Sequence, residues 1–436
     1  MNALARAATA ASDRATAAFA VATRISATAS WALAAGLAVV VLSPERIGIF
    51  LSFAGLAAFA ALSDVGLNYS VLLAAGARPA DDPAPIREAA LTALIPTVAL
   101  TFAAQLLIGY AFLVRYADVG LAPWLAYCLL ASAYQLLYLF VVVVEGTNRR
   151  LAAWRANFIL EVLAGATLLI AIASGNELWG FAAAMLVRCL LVMAWFRQEF
   201  VDQWRRRQSY VREAALQLWR TQLLPMQWKT ALNLLAGLAT TRLLTPILLV
   251  TNGASTAGRI GLGLSMTAAI VAVTSAWPQS EAALYAHLYH EGRRADLFAR
   301  FRRTFVRSSA LCLGLVTAAG FAVAVLRGLS GHLANRLPDT DVLWPLLLAA
   351  PLGHASAGLA LMIRSQRDDP VLIANLLFGG LVFGALWWAA AMGPMTFCYA
   401  FLVGAAAGTI LYGWFFAAWR GECLRQSAVK EDGAGR

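Results

Sequence analysis

Lys229, Asn233, Gly237 and Thr240 fall at steps of four, four and three residues in an otherwise apolar stretch. At 100° per residue they lie within about 80° of one helix face, a polar stripe crowned by a cation. Such a stripe can hold an anionic, polar molecule. Lys229 is therefore an anion-binding candidate, and a lysine snorkelling to lipid headgroups is the equally weighted alternative. Arg24 and Thr28 repeat the pattern, a cation with a hydrogen-bonding group four residues later, and carry the same two readings. Arg242 falls about 180° from Asn233, so it faces a neighbouring helix or reaches the outer headgroups.

Glu161 and Arg188 stand in consecutive apolar runs joined by a very short turn. A charge at bilayer depth costs several kcal/mol unless paired, so a structural ion pair is the first reading and Arg188 as a phosphate ligand the second. Ion coupling would need an acid that changes partner or protonation, and the membrane-associated acids are Asp64, Glu161 and Glu281. Asp64 and Glu281 sit near inner helix ends, where capping or a salt bridge to loop arginines is the commoner role. Four cysteines fall inside apolar runs and Cys423 just after the last, without paired spacing. His287 and His290 with Glu291 lack a third ligand, and Asp339-Thr340-Asp341 beside Pro338 reads as a polar turn. No metal, cofactor or catalytic group is expected.

These residues need membrane helices to position them. The chain has 436 residues, 61% hydrophobic and 13% charged, with mean hydropathy +0.69. A soluble globular fold and most cytosolic enzymes are thereby excluded. Apolar runs bounded by charges or Pro/Gly clusters predict an all-α polytopic protein with about twelve spans. The first six cover 25–43, 47–76, 89–113, 123–144, 156–174 and 178–196. A basic cytoplasmic linker, 197–225, separates them from 226–250, 258–286, 304–326, 342–363, 370–391 and 395–419. An interfacial segment, 1–24, precedes the N-lobe (25–196), and a tail, 420–436, follows the C-lobe (226–419). With the N-terminus inside, 26 of the 34 basic residues fall on the inner side, five on the outer side and three within spans. That asymmetry puts both termini in the cytoplasm and explains most of the net charge of +11. The basic, aromatic segments 197–225 and 287–303 are expected to rest on anionic lipid, and no nucleic-acid partner is expected.

A weak repeat relates the halves. Arg46-Ile47-Gly48 and Arg259-Ile260-Gly261 both open a second helix, and 18 residues on stand Asp64-Val65-Gly66 and Trp277-Pro278-Gln279. Helices of about 30 residues measure roughly 45 Å against a core of about 30 Å, so both must tilt, bend or project. Gly66 and Pro278 are the hinge candidates, a static packing kink being the level alternative.

The stretch from Phe50 to Gly76, with Asp64-Val65-Gly66-Leu67, resembles the second helix of the polysaccharide flippases in the multidrug/oligosaccharidyl-lipid/polysaccharide exporter superfamily. Ala257 to Arg303 is similar to the same family through Gly258-Arg259-Ile260-Gly261-Leu262, Trp277-Pro278 and Glu291-Gly292-Arg293-Arg294. The resemblance implies two pseudo-symmetric six-helix lobes around a central cavity. It implies a monomer in the bacterial cytoplasmic (inner) membrane, moving a polyprenyl-pyrophosphate-linked oligosaccharide outward by alternating access beside polysaccharide polymerase components. Two alternatives stay open: a cation-coupled small-molecule antiporter of the same superfamily, and a membrane polysaccharide polymerase or glycosyltransferase.

Overall fold

The computed structural model describes residues 2–62, 64, 66–76, 84–117, 119–146, 150–197, 201, 212–329, 331–364 and 371–434. Residues 198–200 and 202–211 of the basic linker lie outside these residues. Contacts divide the chain into two compact units, Met1–Val250 and Thr251–Arg436. The first unit contains α1 (Asn2–Val41), α2 (Pro44–Ala57), α3 (Leu67–Gly76), α4 (Ala84–Gly109), α5 (Leu121–Gly146), α6 (Arg150–Ala173), α7 (Glu177–Trp195), α8 (Arg212–Leu218) and α9 (Leu224–Arg242). After α10 (Leu244–Asn252) the second contains α11 (Ala254–Ser280), α12 (Ala282–His290), α13 (Arg294–Leu329), α14 (Thr340–Ile363), α15 (Leu372–Met392) and α16 (Pro394–Ala434). Among the described residues ten helices are long and apolar enough to cross a membrane, and a bent pair, α9 with α10, makes up to eleven. Contacts group α9 with the first unit, whereas the six-plus-six repeat counts it as the first helix of the second half.

The expected second span, 47–76, which is too long to cross straight, is interrupted between Ala57 and Leu67, a stretch that includes the hinge candidate Gly66. Pro44 opens α2, with Ser43 accepting from the Arg46 amide, and a 3₁₀ turn at Ala58–Leu62 ends it. The Asp64 carboxylate then accepts from the amides of Gly66 (3.1 Å) and Asn68 (3.3 Å), starting α3. Gly66 has φ +74°, a left-handed conformation that a Cβ disfavours. In the second half the expected span 258–286 ends at Ser280. Pro278 leaves the Thr274 carbonyl without its helical donor, and the amide of Glu281 turns back to Pro278 O at 3.1 Å. Both long second helices thus break within their expected spans.

The span 226–250 bends by 40° at Leu243. Pro246 explains the bend: it cannot donate to the Arg242 carbonyl, which is left facing Gly55 of α2. A side chain at position 55 would collide with that oxygen, so the glycine lets the bent helix approach.

Apolar packing fixes each unit. In the first, Leu67, Val71, Leu94, Leu139 and Leu223 are buried together across α3, α4, α5 and the turn after α8. In the second, Tyr285, Leu297, Phe301, Met362 and Trp419 are buried together. All five cysteines are free and buried.

Helix ends are pinned by ion pairs. Arg46 donates to both oxygens of the buried Glu177 at 2.8 and 2.5 Å and to Gly175 O at 2.8 Å. Arg259 stands at the matching place of the repeat and pairs with Asp339 at 3.5 Å. Arg327 meets the same carboxylate at 2.8 Å and the carbonyls of Leu337 and Pro338.

Candidate functional site

A cavity of about 310 Å³ opens inside the first unit, bounded by Ala57, Tyr127, Tyr134, Gln135, Phe181 and Arg188. Its walls follow from helical periodicity. Tyr127 and Tyr134 are seven residues apart on α5, and Phe181 and Arg188 seven apart on α7, so each pair shares a face. Its floor is backbone. Where the 3₁₀ turn replaces the α-helix, carbonyls are freed from the i−4 pattern, and α5 supplies the donors. Tyr127 Oη donates to Ala57 O at 2.7 Å and Gln135 Nε2 to Ala60 O at 3.0 Å.

Arg188 is the cavity's charge. Its Nη2 donates to Glu161 Oε2 at 2.8 Å, forming the ion pair that the sequence suggests. Its guanidinium lies 5.8 Å from the Tyr134 ring centroid, within cation–π range. Its Nε is buried and has no hydrogen-bond partner among the described residues. A fixed guanidinium, 22% exposed and beside aromatic walls, can donate an N–H to an oxygen of a guest. Glu161, on the far side of Arg188, sets the alternative: a cation or proton that takes the carboxylate releases the arginine.

The other predicted residues are dispersed. Lys229 is exposed and Asn233 and Thr240 are half-buried on α9, where Thr240 Oγ1 donates to Ala236 O at 2.9 Å. Nothing lies within 4 Å of the place a Cβ would take on Gly237, so this face of the stripe is open. These residues do not line the Arg188 cavity. Arg24 is exposed on α1, and its carbonyl receives the Thr28 hydroxyl at 2.9 Å. Arg242 is exposed at the bend of α9. Gly66 packs against Thr230, the residue after Lys229, which brings the α2/α3 break onto the Lys229 end of the stripe.

Glu281 is held just past the end of α11. Arg300 donates to both its oxygens at 2.9 Å and Thr304 Oγ1 donates at 3.1 Å. The Arg300 hydrogen bond holds its carboxyl below the usual range. Its stabilising effect is therefore fully present above the ordinary glutamate pKa and is lost as pH falls through the lowered one. Glu281→Gln is expected to lower the melting temperature at neutral pH by a few degrees, with the gap to wild type closing in acid; a pH series of thermal melts checks this.

Tyr127, Tyr134 and Gln135 are site residues that charge-led reading passes over. Their signal is present as a seven- and eight-residue spacing of hydrogen-bonding side chains within one apolar run.

No protein-family profile and no curated protein matches the sequence. Solved structures do. An inward-facing multidrug resistance MATE family transporter of the MOP superfamily superposes with TM-score 0.64 at 17% identity, over 91% of this chain and 96% of its own. The fold is that of the MATE transporters. An outward-facing MATE structure superposes with TM-score 0.59 at 13% identity, over 95% and 97%. A MOP superfamily transporter from Pyrococcus furiosus, described by a binding pocket of reverse polarity, does so with TM-score 0.58 at 16% identity, over 94% and 96%. The all-α, polytopic expectation therefore holds, and the MATE-type fold extends over nearly the whole chain.

Proposed function

We propose that this protein is an alternating-access exporter that moves a small amphipathic molecule outward in exchange for a cation. The observation that carries this reading is the likeness in fold, over more than nine-tenths of each chain, to inward- and outward-facing multidrug resistance MATE transporters. The apolar, aromatic cavity with one ion pair in its wall supports it, being the kind of site that holds a drug-sized ligand with few polar anchors. The bacterial inner membrane with both termini cytoplasmic is the location that the basic-residue asymmetry supports.

A second reading, export of a polyprenyl-pyrophosphate-linked oligosaccharide, is favoured by one observation: the exposed Lys229 on the open, polar face of α9. Arg24, the anionic lipids of the inner leaflet and a neighbouring polymerase belong to this reading. A pyrophosphate needs cations at the loading side, which a cationic or neutral drug does not.

Proteoliposomes decide between them. Efflux of ethidium under an imposed proton or sodium gradient is expected on the first reading, with Lys229→Ala and Arg24→Ala retaining it. On the second, a fluorescent polyprenyl-pyrophosphate oligosaccharide crosses the bilayer and each alanine variant loses roughly tenfold in rate, as one lost charged contact of about 1.5 kcal/mol would give. A protein that moves neither probe under any gradient is not an exporter of either class.

A further inference from the structure

The second unit carries a polar cluster that the cavity of the first does not use. His354 on α14 is 1% exposed. Its Nδ1 lies 3.3 Å from Ser275 Oγ on α11, and its Nε2 lies 3.0 Å from Ser308 Oγ on α13. Phe305, one turn before Ser308, stacks on the imidazole with centroids 5.6 Å apart and planes 7° apart. Three helices thus close on one ring, in the apolar middle of the unit.

The hydroxyls determine which nitrogen carries the hydrogen. Ser308 donates its hydrogen to Phe305 O at 3.0 Å, so towards the ring its oxygen is an acceptor. Nε2 is then the donor and Nδ1 accepts from Ser275, which satisfies the neutral imidazole on both sides. Among the described residues no charged side chain bonds the ring, and the Glu281 carboxylate, held by Thr304 one turn before Ser308, is engaged by Arg300. On α14 the nearest ionisable groups in sequence are Asp341 and Arg364, at its two ends. On α13, Cys312 is buried one turn past Ser308, Arg307 is exposed, and Arg300 is engaged by Glu281. On α11 the one charged residue is Arg259, at the outer end, with Glu281 just past Ser280 and Tyr285 beyond it. On α16, Tyr412 donates to Asn375 Oδ1, and Tyr399 and Arg420 lie further along the helix.

We propose that His354 is a proton-binding site, and that a proton arriving at Nδ1 reverses the Ser275 hydrogen bond and loosens α11 beside Pro278. The proton comes from water and forms one N–H bond. The imidazolium then has two donors and no acceptor, so Ser275 must turn its hydrogen away, towards the Val271 carbonyl of its own helix, a bond that serines in helices readily make. This happens where α11 is weakest. The Thr274 carbonyl already lacks its donor because of Pro278, and the helix ends at Ser280. A cation left among apolar helices favours any conformation that brings the ring water or an acid, and the equilibrium shifts by the difference in proton affinity between the two states. As a coupling site His354 rests on the cation-coupled exporter reading; as a proton site it stands on the geometry of this unit.

The test uses the full chain in lipid nanodiscs. With ¹⁵N-labelled histidine, the signal lost in His354→Gln is expected to report the Nε2–H tautomer at high pH and to change to the doubly protonated form as the pH is lowered. Hydrogen exchange of residues 274–281, normalised to intrinsic rates, is expected to quicken about tenfold from about pH 8 to about pH 5.5 in wild type and to stay flat in His354→Gln. If that variant fails to fold, Ser275→Ala replaces it: the ring has no hydroxyl to displace, so the segment again does not respond to pH. A pH response unchanged in the variant, or a His354 signal that never changes protonation state, overturns the proposal. Ethidium efflux under a pH gradient separates the two claims. A pH response in a protein that exports nothing sinks the exporter reading and leaves the site standing. Gradient-driven efflux undiminished in His354→Gln sinks the coupling role.

Discussion

Glu161→Ala is expected to destabilise the first unit by about 3 kcal/mol, because it leaves a cation in the cavity wall without its carboxylate. Both side chains of the pair are 22% exposed, well inside the third at which solvent would screen most of the loss. Arg188→Ala should cost a similar amount for the converse reason. The double variant Glu161→Leu with Arg188→Leu should cost less than either single change, since neither charge is then left alone and the apolar volume is kept. Thermal or urea unfolding of the purified protein in detergent measures all three. Equal, additive losses would mean that the pair is solvated and contributes nothing jointly. The conservative variant Glu161→Gln separates two roles for the cavity: it should strengthen binding of an anionic guest by freeing Arg188, and abolish transport if Glu161 carries the coupling cation.

Gly66→Val is expected to cost about 3–5 kcal/mol, combining the left-handed backbone with a contact to α9 that has no slack. A Cβ there would stand 2.7 Å from Thr230 Cβ and 3.0 Å from Gln227 O, which rigid backbone and a buried helix face do not yield cheaply. Gly66→Asn adds the same Cβ but tolerates positive φ, so the difference between the two variants isolates the dihedral part. If Val and Asn behave alike, sterics alone set the break. If neither destabilises, α2 and α3 can join into one straight helix, and the hinge assignment falls.

Part of this arrangement is legible in the residues themselves. Twelve apolar runs predict the helices because hydropathy is a sum over twenty positions, which single irregularities scarcely disturb. The Arg188–Glu161 pair is legible because two charges in adjacent apolar runs have few other places to go. Asp64 as a cap and Glu281 as a salt-bridge partner follow from their expected places near helix ends, and in the structure Asp64 accepts from the Gly66 amide and Glu281 from Arg300. The break after Ala57 is hidden, since nothing in Ala58–Leu62 marks a tighter helix. The bend at Leu243 is written in Pro246, yet the apolar run continues straight through it, and hydropathy sees one span. The cavity floor is invisible for a deeper reason: the carbonyls of Ala57 and Ala60 carry no side-chain signature. His354 shares that difficulty, because its partners lie 79 and 46 residues away in the chain.

The five sealed cysteines make the native chain silent to a membrane-impermeant maleimide, without the usual need to strip thiols first. A cysteine introduced at position 229, 233, 237 or 240 is then the sole reporter. Labelling from one side of an oriented vesicle, residue by residue, reads which compartment the stripe sees, and a gradient that alters the pattern would show the two access states as chemistry on a single atom.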